Sequence, residues 1–289
     1  MSPRDVALAA FVCIVWGLGF TLTKAVMPQF PPIFIMALRF TLAAAILAPM
    51  VKMPRGYLGR IALISFVGAG LQYSLTFTGL AGVDASTAII LLQLEAPLAA
   101  VLAAVILKDM IGWWRGFGLA LAFCGVLIVV GEPRLRGSYE AVALLLGGAV
   151  AFALAQVLVK ALKNQVEGFT LMTWVAIFAV PQMWIGTFAF ESGQWQALQK
   201  ADWKAWAVVV YLAFLMTAFA YGVWYRLIGR NSINHVMPFS LLLPITTVIT
   251  SVLILGETLL WTTVIGGCVT IAGVAMIVLY RKRAALPAA

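Results

Sequence analysis

Long apolar runs, interrupted by short stretches that hold most of the charged residues, recur from one end of the chain to the other. A bilayer core of about 30 Å takes roughly 20 residues of helix. On that ruler the runs predict ten spans, at about 5–26, 33–51, 59–80, 85–107, 112–130, 139–162, 169–190, 205–227, 233–255 and 260–280. The connections read KMPRG at 52–56, KDMIG at 108–112, GEPRLRG at 131–137 and ESGQWQALQKADWK at 191–204. The last is the longest, and its interleaved tryptophans suggest a segment lying at the membrane interface, with Trp203 and Trp206 as anchors. The pattern predicts an all-α polytopic membrane protein.

One stretch stands out within it. GVDASTAIILLQLEAPLAAVLAAVILKD, from Gly82 to Asp109, is apolar enough to cross a bilayer yet carries Gln93, Glu95 and Pro97 near its middle. A similar stretch, GRNSINHVMPFSLLLPITTVITSVLILGE, runs from Gly229 to Glu257. An offset of 147 aligns Val83–Pro97 with Arg230–Pro244 without a gap, so Gln93 meets Ser240 and Pro97 meets Pro244. One extra residue then enters the second copy, and Asp109 meets Glu257 at an offset of 148. VWGLGFTLTK at 15–24 answers AFALAQVLVK at 151–160, pairing Trp16 with Phe152 and Phe20 with Gln156. In the fifth and tenth spans Gly118 answers Gly266 and Gly125 answers Gly273. The chain therefore divides into two five-helix repeats, residues 1–131 and 138–283. Five is odd, so the second repeat enters the membrane from the opposite side. Ten transmembrane helices as two inverted five-helix repeats is the architecture that exposes one site alternately to two faces.

Composition agrees and narrows the class. The 289 residues are 64% hydrophobic and 10% charged, too little charge for a soluble domain and no room for a separate catalytic one. The net charge of +9 is spread between spans, so it sets topology and does not form a nucleic-acid surface. With the N-terminus in the cytoplasm, thirteen Lys and Arg residues fall on that side, five fall opposite, and Arg39 lies within a span. Both termini are thus expected inside a cytoplasmic (inner) membrane. The first run outlasts a signal-peptide core and is read as a retained helix. Cys13, Cys124 and Cys268 sit inside apolar runs without CxxC spacing and read as small hydrophobes. The single histidine, His235, reads as an end-of-helix polar group. No HExxH, GxSxG or carboxylate cluster is present, so neither an intramembrane enzyme nor a metal site is expected.

The chain resembles the EamA family of the drug/metabolite transporter superfamily. The resemblance rests on VWGLGFTLTK, PPIFIMALRFTLAA and APLAAVLAAVILKD in the first half. In the second half it rests on YLAFLMTAFAYGVWYRLIGR, PFSLLLPITTVITSVLILGE and IGGCVTIAGVAMIVL. LLQLEAP and YGVWYRLIGR look most like bacterial exporters of amino acids and their derivatives. One departure is Lys108-Asp109 at the end of the fourth span, where the family more often has Gly-Glu, as at Gly256-Glu257. The resemblance implies a ten-helix fold and export of small polar metabolites across the cytoplasmic membrane.

Candidate site residues follow from what is costly in lipid. Arg39 and Glu95 are ionisable groups inside spans, roughly 9 Å and 15 Å below the same face. A structural or coupling pair between them, or an Arg39 that snorkels outward, is expected; the alternative is a Glu95 that faces the pathway and binds a substrate amine or a proton. Gln93 and Glu95 are about 200° apart on a regular helix, so Gln93 is expected in a cavity with Ser240 as its counterpart, and Glu95 is expected to turn toward Arg39. Gln72 and Gln156 are further mid-membrane amides. Trp16 with Phe20, and Tyr221 with Trp224, share helix faces, and Tyr73 adjoins Gln72. Amides and aromatic faces together suit a zwitterion with an apolar side chain. Pro97, Pro238 and Pro244 are candidate hinges, and Pro181 interrupts another span. The ninth span, with two prolines, is expected to be the most mobile. The expected partners are a small-molecule substrate and the lipid bilayer, with no cofactor and no nucleic acid, in a monomer or weak homodimer. Exchange of nucleotide-linked or phosphorylated compounds is the alternative activity, and a channel is a further one.

Overall fold

The computed structural model describes residues 1–108, 112–132, 135, 137–163, 165–231 and 233–279. Ten of its helices are long and apolar enough to cross a bilayer. They are α1 (Pro3–Val26), α2 (Pro32–Met50), α3 (Leu58–Ala81), α4 (Ala85–Ile106), α5 (Trp113–Val130), α6 (Tyr139–Ala161), α7 (Gly168–Phe190), α8 (Trp203–Arg230), α9 (Met237–Leu255) and α10 (Trp261–Leu279). A short helix, Gln194–Lys200, lies between α7 and α8, where an interfacial segment was expected. Trp203 is 75% exposed, as an interface anchor would be. Trp206 is half-buried and packs edge-on against Phe30 of the core.

Local chemistry sets the helix ends. Ser2 caps α1 by accepting the Asp5 N–H, and Pro3 occupies the first turn, where its missing N–H costs nothing. The last residue after α4, Lys108, adopts a left-handed conformation (φ 56°), and Gly256 after α9 does the same (φ 68°). These are equivalent positions in the two repeats, so the lysine holds the same turn at the cost of about 1–2 kcal/mol that glycine avoids. Asp109, the expected counterpart of Glu257, lies outside the described residues.

Helix packing carries a two-fold pattern. Helices α1 and α9, α2 and α8, and α3 and α6 are in contact. Exchanging each helix for the one five places away gives α6 with α4, α7 with α3 and α8 with α1, which are also in contact. The pairs α2–α7 and α5–α10 map onto themselves, and α5–α10 is the most extensive of all. Its closeness depends on glycine. A Cβ on Gly118 would lie 2.8 Å from the Gly273 carbonyl oxygen, and one on Gly266 would lie 2.7 Å from that of Gly125. Those two contacts are repeat equivalents of each other in an antiparallel crossing.

Both α3 and α8 contain a π-helical stretch, Phe66–Leu71 and Tyr211–Phe219, and the repeat offset places one on the other. A third, Ser251–Leu255, ends α9. Aligning VILKD with VLILGE makes Leu253 the extra residue of the second repeat, and a π turn is how a helix absorbs one insertion.

Candidate functional site

A cavity of about 1280 Å³ opens between the two repeats. Its wall takes residues from α1, α2, α3 and α4 and from α6, α7, α8, α9 and α10. It reaches Leu162, Glu167, Arg226, Arg230, Met237 and Val278, at helix ends that share the face of the N-terminus. On the other side it stops at Phe20, Phe77 and Ile89. The structure thus has a mouth on the N-terminal face and a closed opposite face.

Every substrate-site residue expected from the sequence lines this one cavity: Trp16, Phe20, Gln72, Tyr73, Gln93, Gln156, Tyr221, Trp224 and Ser240. Arg39 and Glu95 line it too. Two geometric expectations fail. Gln93 and Glu95 both face the cavity, because α4 is not one helix there. It consists of Ala85–Leu92 and Glu95–Leu107, joined by a turn at Gln93 and Leu94 whose N–H groups bond to Ile90 and Leu91. Angular spacing on a regular helix does not carry across that turn. Pro97 sits third in the new segment, in the first turn that lacks intrahelical N–H bonds anyway. Pro244 occupies the same place in Leu242–Thr250, after a 3₁₀ stretch, Met237–Leu241, that contains Pro238 and Ser240.

The second failure is the Arg39–Glu95 pair. Arg39, only 1% exposed, donates from Nε to the Thr217 hydroxyl at 2.9 Å. Its guanidinium lies 5.3 Å from the Tyr73 ring centre and 5.6 Å from that of Phe40. Thr217 can accept because its own hydroxyl proton goes to the Leu212 carbonyl at 2.7 Å, inside the π stretch of α8. The π turn of one repeat therefore anchors the mid-membrane cation of the other. No carboxylate pairs with Arg39 among the described residues.

The aromatic wall is continuous. The Trp16 indole donates to the Met216 carbonyl at 3.1 Å, and its ring lies 5.0 Å from Tyr221 and 5.1 Å from Trp224. Phe20 reaches Phe77 at 6.0 Å, and Phe77 stacks on Tyr73 at 5.6 Å. Phe152, Phe77 and Met216 are lining residues that residue-type reasoning had not singled out. For Phe152 the signal was its alignment with Trp16.

The closed face is fastened by charged groups, of which only Glu257 had been noted, as the repeat counterpart of Asp109. The Glu257 carboxylate after α9 accepts the Ala85 N–H at 2.6 Å, the Ser86 N–H at 3.0 Å and the Ser86 hydroxyl at 2.7 Å, capping α4. The Lys24 ammonium at the end of α1 donates to the Leu80 and Ala81 carbonyls at 2.8 and 2.9 Å, capping α3. Glu191 after α7 caps α2 through the Ile33 and Phe34 N–H groups at 2.7 and 3.0 Å. Each pairing puts the right charge on a helix end, and bonds to charged groups are worth about 1.5–3 kcal/mol.

The EamA-like transporter family matches residues 4–131 and again 140–279. A probable amino-acid metabolite efflux pump of Salmonella typhimurium is 29% identical over 94% of both chains. A protein of the same description from Escherichia coli K12 is 28% identical with the same coverage. An S-adenosylmethionine/S-adenosylhomocysteine transporter of Chlamydia trachomatis is 29% identical over only 39% of this chain and 37% of its own. A solved structure, 16% identical, superposes on 95% of this chain and 96% of its own with a TM-score of 0.64, a likeness of fold.

Proposed function

The chain belongs to the EamA-like transporter family, and from that premise we propose that it exports amino acids, apolar or aromatic ones among them, and related small metabolites. Transport runs across the cytoplasmic membrane by alternating access, with both termini in the cytoplasm. The family's members are transporters and not enzymes. The observation that carries the substrate reading is the cavity itself. Away from its mouth, where Glu167, Arg226 and Arg230 sit, it combines one cation (Arg39), one carboxyl group (Glu95) and three amides with a wall of aromatic rings, a chemistry suited to a small zwitterion with an apolar side chain. The efflux-pump relatives lend the same reading support across nearly the whole chain.

The units 1–131 and 138–283 are the halves that rock. Cargo enters from the cytoplasmic mouth, and the fastened face opens outward in the second state. Exchange of phosphorylated or nucleotide-linked compounds fits less well, since Arg39 is the one cation deep in the cavity. Counterflow into proteoliposomes tests the reading. Purified protein should exchange radiolabelled phenylalanine, leucine or tryptophan against unlabelled amino acid with saturation. No saturable exchange of any of the twenty amino acids would overturn it.

A further inference from the structure

Resting on the reading of the cavity as the substrate site, the positions of two buried groups say how a substrate is held. Arg39 carries a permanent charge at mid-membrane, where an ion without a partner costs several kcal/mol. A guanidinium has five N–H donors. Two are accounted for, on Thr217 and, at 3.9 Å, on the sulfur of Met36. The rest of this cation faces the cavity, with no counter-ion among the described residues, although Glu95 lines the same space. Its orientation is set before any ligand arrives, by Thr217 on one edge and by the Tyr73 and Phe40 rings. A held, planar fork with free donors matches a carboxylate or a phosphate, and a single deep cation suits the single charge of a carboxylate.

Gln72 supplies the opposite. It is 6% exposed, and its amide nitrogen donates to the Thr76 hydroxyl at 3.1 Å. Its carbonyl oxygen Oε1 is buried without any hydrogen-bond partner, and the side chain lines the cavity beside Tyr73. Buried acceptors are seldom left unpaired without a reason, and an ammonium group would supply the missing donor. The cavity therefore holds an unpaired cation and an unpaired acceptor on adjacent helices, α2 and α3.

We propose that Arg39 binds the carboxylate of the transported molecule and Gln72 Oε1 its ammonium group, so that the protein selects free α-amino acids over their amides and decarboxylated amines. The aromatic wall then receives the side chain.

The test uses the purified full-length protein and three probes: phenylalanine, phenylalanine amide, and phenylacetate, which keeps the ring and carboxylate but lacks the amine. Ligand-induced thermal shifts report binding and counterflow reports transport. For wild type, phenylalanine should bind at least tenfold more tightly than its amide, and phenylacetate should bind measurably. Arg39→Gln should erase the preference for phenylalanine over the amide. Gln72→Leu should weaken phenylalanine several-fold while sparing phenylacetate. Equal binding of phenylalanine and its amide to wild type would overturn the proposal, and that arm needs no variant to fold. Phenylacetate binding that depends on Arg39, without counterflow of any amino acid, would keep the carboxylate site and remove the export reading. Absence of binding by all three probes would remove both.

Discussion

The seam between α1 and α9 and the seam between α6 and α4 occupy equivalent places in the two repeats, yet they are built from different chemistry. In α9 the sequence TTVITS at 246–251 stands where α4 has AAVLAA at 99–104. Thr21 in α1 corresponds to Val157 in α6, and Gly17 to Ala153. The second-repeat hydroxyls are used. Thr21 bonds to the Thr250 hydroxyl at 2.7 Å and to the Thr247 carbonyl at 3.3 Å, and Thr247 returns a bond to the Gly17 carbonyl at 3.2 Å. Bonds of this kind between membrane helices average about 0.6 kcal/mol. The α4–α6 seam has only methyl groups at these positions. Sliding along the α1–α9 seam would break these bonds, and sliding along the α4–α6 seam would break none of this kind.

Exchanging residues between the seams tests that contrast. Gly17→Ala should be the costlier swap, about 1–3 kcal/mol, because a Cβ there would lie 2.8 Å from Thr246 Cβ and 2.9 Å from the Leu243 carbonyl oxygen. The reciprocal Ala153→Gly should cost about 1 kcal/mol, from helix propensity. Thermal denaturation in detergent reads both, and equal shifts would remove the distinction between the seams. A smaller effect of opposite sign is expected from Lys108→Gly. It gives α4 the glycine that α9 already has and relieves the left-handed backbone at φ 56°. The gain should be about 1 kcal/mol, with no gain if the lysine side chain makes up the difference.

Much of this was legible from residue type and order, and the reasons are physical. Ten spans follow from the length of apolar runs because lipid tolerates little else. The cavity residues follow from the cost of burying Gln72, Gln93, Gln156 and Arg39 without solvated company. What failed was whatever depended on assuming a regular helix. Gln93 and Glu95 share the cavity because the chain turns between them, and Arg39 bonds to Thr217 because π stretches redirect α8. A one-residue insertion, Leu253, was visible in the alignment, but its outcome as a π turn preceding the Glu257 cap was not. Glu257 stood out only as the repeat counterpart of Asp109, and Glu191 and Lys24 looked like ordinary charges at a loop and at a span end, since nothing in their neighbours' sequence marks the bare helix end that each one meets.

The cavity opens to one face and is held shut at the other by the Glu257 cap on α4. In a variant with Cys13, Cys124 and Cys268 replaced, Ala99→Cys places one thiol in the cavity wall. A membrane-impermeant thiol reagent should modify it rapidly from the face carrying the N-terminus and slowly from the opposite face. Adding Glu257→Ala should raise labelling from the opposite face about tenfold or more, as loss of bonds worth about 1.5–3 kcal/mol requires. Rapid labelling of the Ala99→Cys protein from the opposite face, or an unchanged pattern when Glu257 is removed, would contradict the account.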